Sequence, residues 1–253
     1  MLINEFPDVV AFTESWLDQS TPDSLLVDNN ACSVFRKDRF NEPYGGVCLL
    51  LKNATVKAVR VDVADNFNDI DVLCVDILDM FIPMRIIVGY RSPSSDTAED
   101  AIRNTKHFIE CLSCLCDVDA SVVIIGDFNF PSIDWSYLQF VVDISRPMLY
   151  VFSMFTTEYC FEQLVSQPTR VQPGSRSSTI DLVLCNDVFV VTGVNVCEPF
   201  STSDHCSIEF KIICADQPTH QPAHEFRNFD QADWDSISNM LNNCDWAALF
   251  DDC

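Results

Sequence analysis

The stretch SVVIIGDFNFPSIDW, residues 121–135, decides how the rest of this chain is read. Four apolar β-branched residues, Val122 to Ile125, run unbroken into Gly126. Such a run reads as a strand buried on both faces. Gly126 lets the backbone turn sharply, and Asp127 and Asn129 follow it. Two positions apart, these side chains share a direction if strand geometry persists. An acceptor-only carboxylate beside a donor-bearing amide suits holding a water or a phosphate. The plainer alternative is an Asp/Asn turn that closes a hairpin.

Further strand-like runs lie on both sides of this one. They cover residues 9–13, 46–51, 55–63, 70–77, 85–90, 161–165, 180–185, 188–196 and 206–213. Several alternate, with Val72 and Cys74 set against Leu73 and Val75. Helices are fewer. Thr97-Ala-Glu-Asp100 resembles a capping box, and from it Ile102, Thr105, Ile109, Leu112 and Cys116 follow helical spacing. Pro147 opens a second helical pattern that runs to Thr157. Many strands with few helices imply an α/β (α+β) chain of two packed sheets with helices outside. Composition changes near Ala215, so residues 1–214 read as the domain and 215–253 as an acidic linker and helical tail. Within the tail, Asp230 is a candidate cap for a short helix bearing Trp234, Ile237 and Leu241 on one side.

The chain has 253 residues, 48% of them hydrophobic, which is ample for a core. Fifteen basic residues stand against 38 acidic ones, a net charge of −23. That argues against non-specific binding of nucleic acid or membrane through overall charge, but leaves room for a local basic groove or for carboxylates that hold cations. The 13 cysteines are odd in number and scattered through apolar runs, which reads as reduced thiols. Cys111-x-x-Cys114-x-Cys116 lies on the helical pattern without a second ligand pair, so zinc is disfavoured. No secretory signal or membrane-spanning run is visible, and the expected location is nucleus or cytoplasm.

Five strands carry chemistry at their ends. The first ends in Glu14, another in Tyr90 followed by Arg91, and the central run in Asp127 with Asn129. Asp181 sits inside the apolar run 180–185, where a lone carboxylate is costly without a partner. Asp204 and His205 precede the last strand. A histidine held by a buried aspartate has its tautomer fixed, so His205 and Asp181 are a natural pair. Each residue alone has a bland reading as a strand end. Together, hard oxygen ligands and one histidine at one sheet edge suit a Mg²⁺-dependent hydrolase.

This ordered set resembles the endonuclease/exonuclease/phosphatase family. The carrying motifs are FTESWL, GYRSP, GDFN, STIDLVL and SDH, spread over residues 3–213. The wording DVVAFTESWL, YGGVCLLLK, QPTR and STSDH is most similar to the endonuclease domain of non-LTR (LINE-type) retrotransposons. The resemblance implies a four-layer αββα sandwich of two mixed sheets flanked by helices. It implies Mg²⁺, with Mn²⁺ as the alternative, and DNA as substrate. Element RNA or a reverse transcriptase domain are further candidate partners, and no membrane is involved. By the same resemblance, Glu14 and Asp204 serve the metal and Tyr90 contacts the scissile phosphate. Asp127 deprotonates the attacking water and Asn129 holds water or phosphate. His205, oriented by Asp181, stabilises the transition state. Arg170, Arg176 and Arg91 are candidate DNA contacts.

Family members begin with a further strand that ends in an Asn or Asp near the metal, and the first strand is expected to be missing here. A catalytically dead, truncated remnant is therefore one alternative. An abasic-site nuclease or another phosphoesterase of the same fold is the other.

Overall fold

In the computed structural model, the described residues are 7–39, 44–93, 97–131, 133, 135, 146–171, 177–213 and 233–243. Six strands form the main sheet: β4 (Ala58–Val61), β5 (Asp71–Ile77), β6 (Met84–Tyr90), β7 (Ser121–Asp127), β8 (Glu162–Gln163) and β9 (Asp181–Cys185). Their order is β4-β5-β6-β7-β9-β8, with β6 and β7 parallel and the other pairs antiparallel. The sheet is therefore mixed. Its central strands are buried on both faces, which is why their sequences read as near-continuous apolar runs. Val122, Ile124, Leu182 and Leu184 face one core, while Val123, Ile125 and Val183 face the other.

The first core lies against two helices, α1 (Ala98–Cys116) and α2 (Pro147–Glu158). The Thr97 hydroxyl accepts the Asp100 backbone N–H at 3.2 Å and starts α1, as the capping pattern predicts. Phe108, Leu112 and Leu115 of α1 meet Phe152 and Phe155 of α2 in this layer. Burial pushes the Cys111 thiol up to about 12, far from the thiolate that zinc requires. All ten described cysteines are free.

The second core is closed by five further strands: β1 (Val9–Thr13), β2 (Cys32–Lys37), β3 (Val47–Lys52), β10 (Val191–Pro199) and β11 (Cys206–Ile212). They form two antiparallel sheets, β1-β3-β2 and β10-β11. Val47, Leu49 and Leu51 point inward, while Ile208, Phe210 and Ile212 pack against the same core from β11. Among the described residues no strand pairs with the outer edge of β1 or of β11. Arg36 lies across from Cys48 on the outer face of the small sheet, and its guanidinium holds Asp23 at 3.3 Å and Asp38 at 3.0 Å. Asp23 opens a single 3-10 turn, Asp23–Leu25, in the loop that covers that face.

By contacts the chain divides into Met1–Gln217 and Pro218–Cys253. In the second unit a short helix, α3 (Trp234–Asn242), is capped by Asp233, whose carboxylate accepts the Ser236 N–H at 2.9 Å. Asp230, the cap expected from the sequence, lies outside the described residues. No described helix is long and apolar enough to cross a membrane.

One contact fixes how β6 and β7 meet. Gly89 and Gly126 are register partners, and Gly126 has φ +145°. A Cβ at Gly126 would lie 1.8 Å from the Gly89 carbonyl oxygen. Neither the strain nor the overlap can be relieved without moving the central pair. Gly126→Ala is expected to lower stability by about 3 kcal/mol in urea unfolding. A loss under about 1 kcal/mol would contradict this close approach.

Candidate active site

The register of the main sheet builds the site. Tyr90 is the Cα partner of Asp127 across the parallel pair, and Asp127 is the partner of Asp181 across the antiparallel one. Directly opposed residues point to the same side. Tyr90 packs in the core between the sheets, so this row of side chains faces the second layer. There the chain delivers two more groups, Glu14 just after β1 and His205 just before β11.

Asp127 is 3% exposed. Asn129 clamps it: its backbone N–H donates to one carboxylate oxygen and its side-chain N–H to the other, both at 2.9 Å. Asn129 adopts φ +50°, a conformation that asparagine tolerates. The turn closes no hairpin, since β7 pairs with β6 and β9, and its Asx hydrogen bond aims the carboxylate. Burial, reinforced by the nearby charge of Asp181, pushes the Asp127 carboxyl up to about 7.

His205 Nδ1 lies 2.9 and 3.0 Å from the two oxygens of Asp181. That contact makes Nδ1 the donor and leaves Nε2 as the ring nitrogen not bonded to Asp181. Burial opposes the charged imidazole, but the Asp181 hydrogen bond and the charges of Asp181, Asp127 and Asp204 outweigh it, so the His205 pKa is raised. Thr169 holds both elements. Its hydroxyl accepts the backbone N–H groups of Ile180 and Asp181 at 3.1 Å each, and its carbonyl accepts the Cys206 N–H at 2.7 Å. In the sequence Thr169 is inconspicuous, although QPTR carries it beside Arg170. Its only signal was a small hydroxyl residue next to a proline.

Asp127, Asp181 and His205 are the only described group whose ligand atoms all lie within 4.8 Å of one another. Glu14 and Asp204, expected at the metal, stand outside that group. The Tyr90 hydroxyl donates to Glu14 Oε1, and this bond and burial push the tyrosine pKa up, burial most. Asp204 accepts Arg170 Nε at 2.8 Å, with both side chains about two-fifths exposed. The donor set itself fits a hard divalent cation: two carboxylates and an imidazole converge, and one carboxylate is held partly protonated by burial and by its neighbour's charge.

The three arginines expected at DNA fare differently. Arg170 lies beside the site but is paired with Asp204. Arg91 is 7% exposed and lies behind the GDFN turn. Its guanidinium donates to the carbonyls of Phe128 and Asn129 at 3.2 Å and sits 4.3 Å over the Phe130 ring. Burial lowers its pKa to about 10. Arg91 braces the turn that carries Asp127 and offers no surface to a ligand, a correction to the sequence reading. A guanidinium can bind a phosphate or its own backbone, and residue type alone does not choose between them. Arg176 lies outside the described residues.

Residues 84–209 match the family described as endonuclease-reverse transcriptase. No curated protein sequence matches the chain. Among solved structures, it is similar to the endonuclease domain of TRAS1, a telomere-specific non-LTR retrotransposon, with TM-score 0.58 and 13% identity over 85% of this chain and 89% of that one. It is also similar to the 3′ phosphatase NExo from Neisseria bound to a product DNA hairpin, with TM-score 0.60 and 14% identity over 84% and 91%. An AP endonuclease from Archaeoglobus fulgidus gives TM-score 0.62 and 11% identity over 83% and 91%. At such identities these likenesses establish the fold. They bear out the expected α+β class of flanked sheets.

The raised carboxyl at Asp127 has a sign that can be measured. The folded chain keeps that proton up to about 7, whereas an unfolded aspartate releases it near 4. Between those values the folded state binds more protons, so Asp127 makes stability fall as pH rises through that window. The raised His205 pKa acts in the same sense: its contribution is complete below about 6.5 and is lost as pH climbs through the folded value. Asp127→Asn removes the buried charge. Urea unfolding is expected to find it more stable than the parent at pH 8 by about 1–2 kcal/mol, with no difference at pH 4. A variant that is less stable at pH 8 would contradict the assigned environment.

Proposed function

We propose that this chain, which belongs to the endonuclease/exonuclease/phosphatase family, is a Mg²⁺-dependent hydrolase that nicks DNA as the endonuclease domain of a non-LTR retrotransposon. One observation carries the reading. A buried carboxylate with a pKa near 7 sits beside an Asp–His pair at the exit of a sheet, within 4.8 Å. General-base work at neutral pH needs such a carboxylate, and the neighbouring imidazole can supply a positive charge.

The chemistry is an in-line displacement at phosphorus. Asp127, aimed by Asn129, accepts the proton of the attacking water. His205 keeps its Nδ1 proton on Asp181 and presents Nε2–H to a phosphoryl oxygen, where negative charge grows. Tyr90 and Glu14 hold the opposite side of the scissile group. Asp127 and Asp181, whose oxygens converge beside His205, would hold the cation, with Glu14 the further ligand that the resemblance implies and Mn²⁺ as the substitute. When bound, that cation supplies Lewis-acid stabilisation of the charge on the phosphodiester oxygens. Asp204 acts at one remove: it is tied to Arg170 and adds negative potential around His205. We assign the nuclease unit to residues 1–214, and the acidic tail 215–253 to the segment that leads toward a reverse transcriptase. Arg170 and Arg176 remain the candidates for backbone contact, and element RNA a further partner.

Supercoiled plasmid incubated with the purified chain tests this. Mg²⁺ is expected to give open-circle DNA and EDTA to abolish it. His205→Ala is expected to slow nicking roughly 100-fold or more, a much larger effect than its loss of stability. Cleavage confined to an oligonucleotide with an abasic site would favour the abasic-site reading instead. No cleavage of either substrate by folded protein would overturn the proposal.

A further inference from the structure

The site has a rim feature that hydrolysis does not use. Trp16 follows Glu14 by two residues, and Tyr44 precedes Gly45 and Gly46. The two aromatic rings meet edge to face, with centroids 5.3 Å apart and planes at 79°. They are 59% and 62% exposed, a poor setting for large aromatics in a chain with two well-filled cores. The backbone holds them there. The Ser15 N–H donates to the Gly46 carbonyl at 3.2 Å, and the Trp16 N–H to the Gly45 carbonyl at 3.0 Å. Glu14 and Trp16 have φ of +51° and +52°, a conformation that costs energy in a side chain of this bulk. The chain thus sustains strain to keep an aromatic pair in water, adjoining the carboxylate that touches Tyr90.

The surrounding cations are committed elsewhere. The Arg39 guanidinium binds Asp71 Oδ2 through Nε at 2.8 Å, Arg91 binds the GDFN turn, and Arg170 binds Asp204. Among the described residues these three arginines are thus engaged with carboxylates or backbone, in a chain whose net charge is −23. Nucleic acid has one other face, the base, and any base can stack on an aromatic ring.

We infer that Trp16 and Tyr44 form a stacking platform for an unpaired nucleobase of the DNA strand that enters the site. This rests on the nuclease reading above and adds its substrate class: a strand whose bases are unstacked beside the cut. Base contact supplies affinity that cations supply in other nucleic-acid-binding proteins. Binding is therefore expected to depend weakly on salt.

Fluorescence anisotropy of labelled oligodeoxynucleotides decides it, with the full chain in EDTA so that nothing is cut. An eight-nucleotide thymidine strand is expected to bind roughly tenfold more tightly than an abasic strand with the same phosphates. Trp16→Ala and Tyr44→Ala are each expected to lose most of that difference, and Trp16→Phe to keep it. Both side chains are exposed, so the variants should fold, and circular dichroism confirms this. Equal binding of the two strands by the parent, or unchanged binding by folded Trp16→Ala, would overturn the platform. Failure is separable from that of the nuclease reading. Base-dependent binding without Mg²⁺-dependent nicking leaves the platform standing and removes the hydrolase. Nicking with base-independent binding does the reverse.

Discussion

The close approach of Asp127, Asp181 and His205 is the interaction on which the rest depends. Two carboxylates and an imidazole share a buried space, and none can be described without the others. Asp181 raises the proton affinity of Asp127 and, through its hydrogen bond, that of His205. Burial makes both effects large, because charges interact strongly where water is excluded. The cluster stores an electrostatic tension that a divalent cation would relieve. Its cost is carried by the two apolar cores and by the glycine contact that brings β6 and β7 together.

The fold places these groups by register, so no single loop has to find the others. Tyr90, Asp127 and Asp181 form a row because their strands end level with one another. Thr169 then couples the start of β9 to the start of β11, and so links the Asp181 carboxylate to the histidine that it orients. Arg91 underpins the row from the helix side. The site thus stands on rigid elements at three of its corners, as preorganised hydrolysis requires.

Much of this was legible in the chain. The run Val122–Ile125 was read as a strand buried on both faces, and it is one. The helix from Thr97 was visible through its cap and its spacing. The tips Tyr90, Asp127 and Asp181 stood out because a polar group that ends an apolar run is a strong local signal. The strand Cys32–Lys37 was not legible, since its charged and polar residues hide the alternation that its neighbours impose. The destinations of Arg91 and Arg170 were not legible either. Which acceptor a guanidinium meets is decided by chain segments far away in sequence. Trp16 was visible only as part of a motif, because neither its exposure nor its contact with Tyr44 can be read from composition.

The most direct measurement follows the His205 ring by proton NMR as pH is varied, in the parent and in Asp181→Asn, with His205→Gln to assign the signal. A parent pKa above the ordinary 6.5 is expected, with a clear fall in Asp181→Asn. A His205 ring that titrates at or below 6.5 in the parent, or that ignores Asp181, would contradict the coupled cluster and the mechanism built on it.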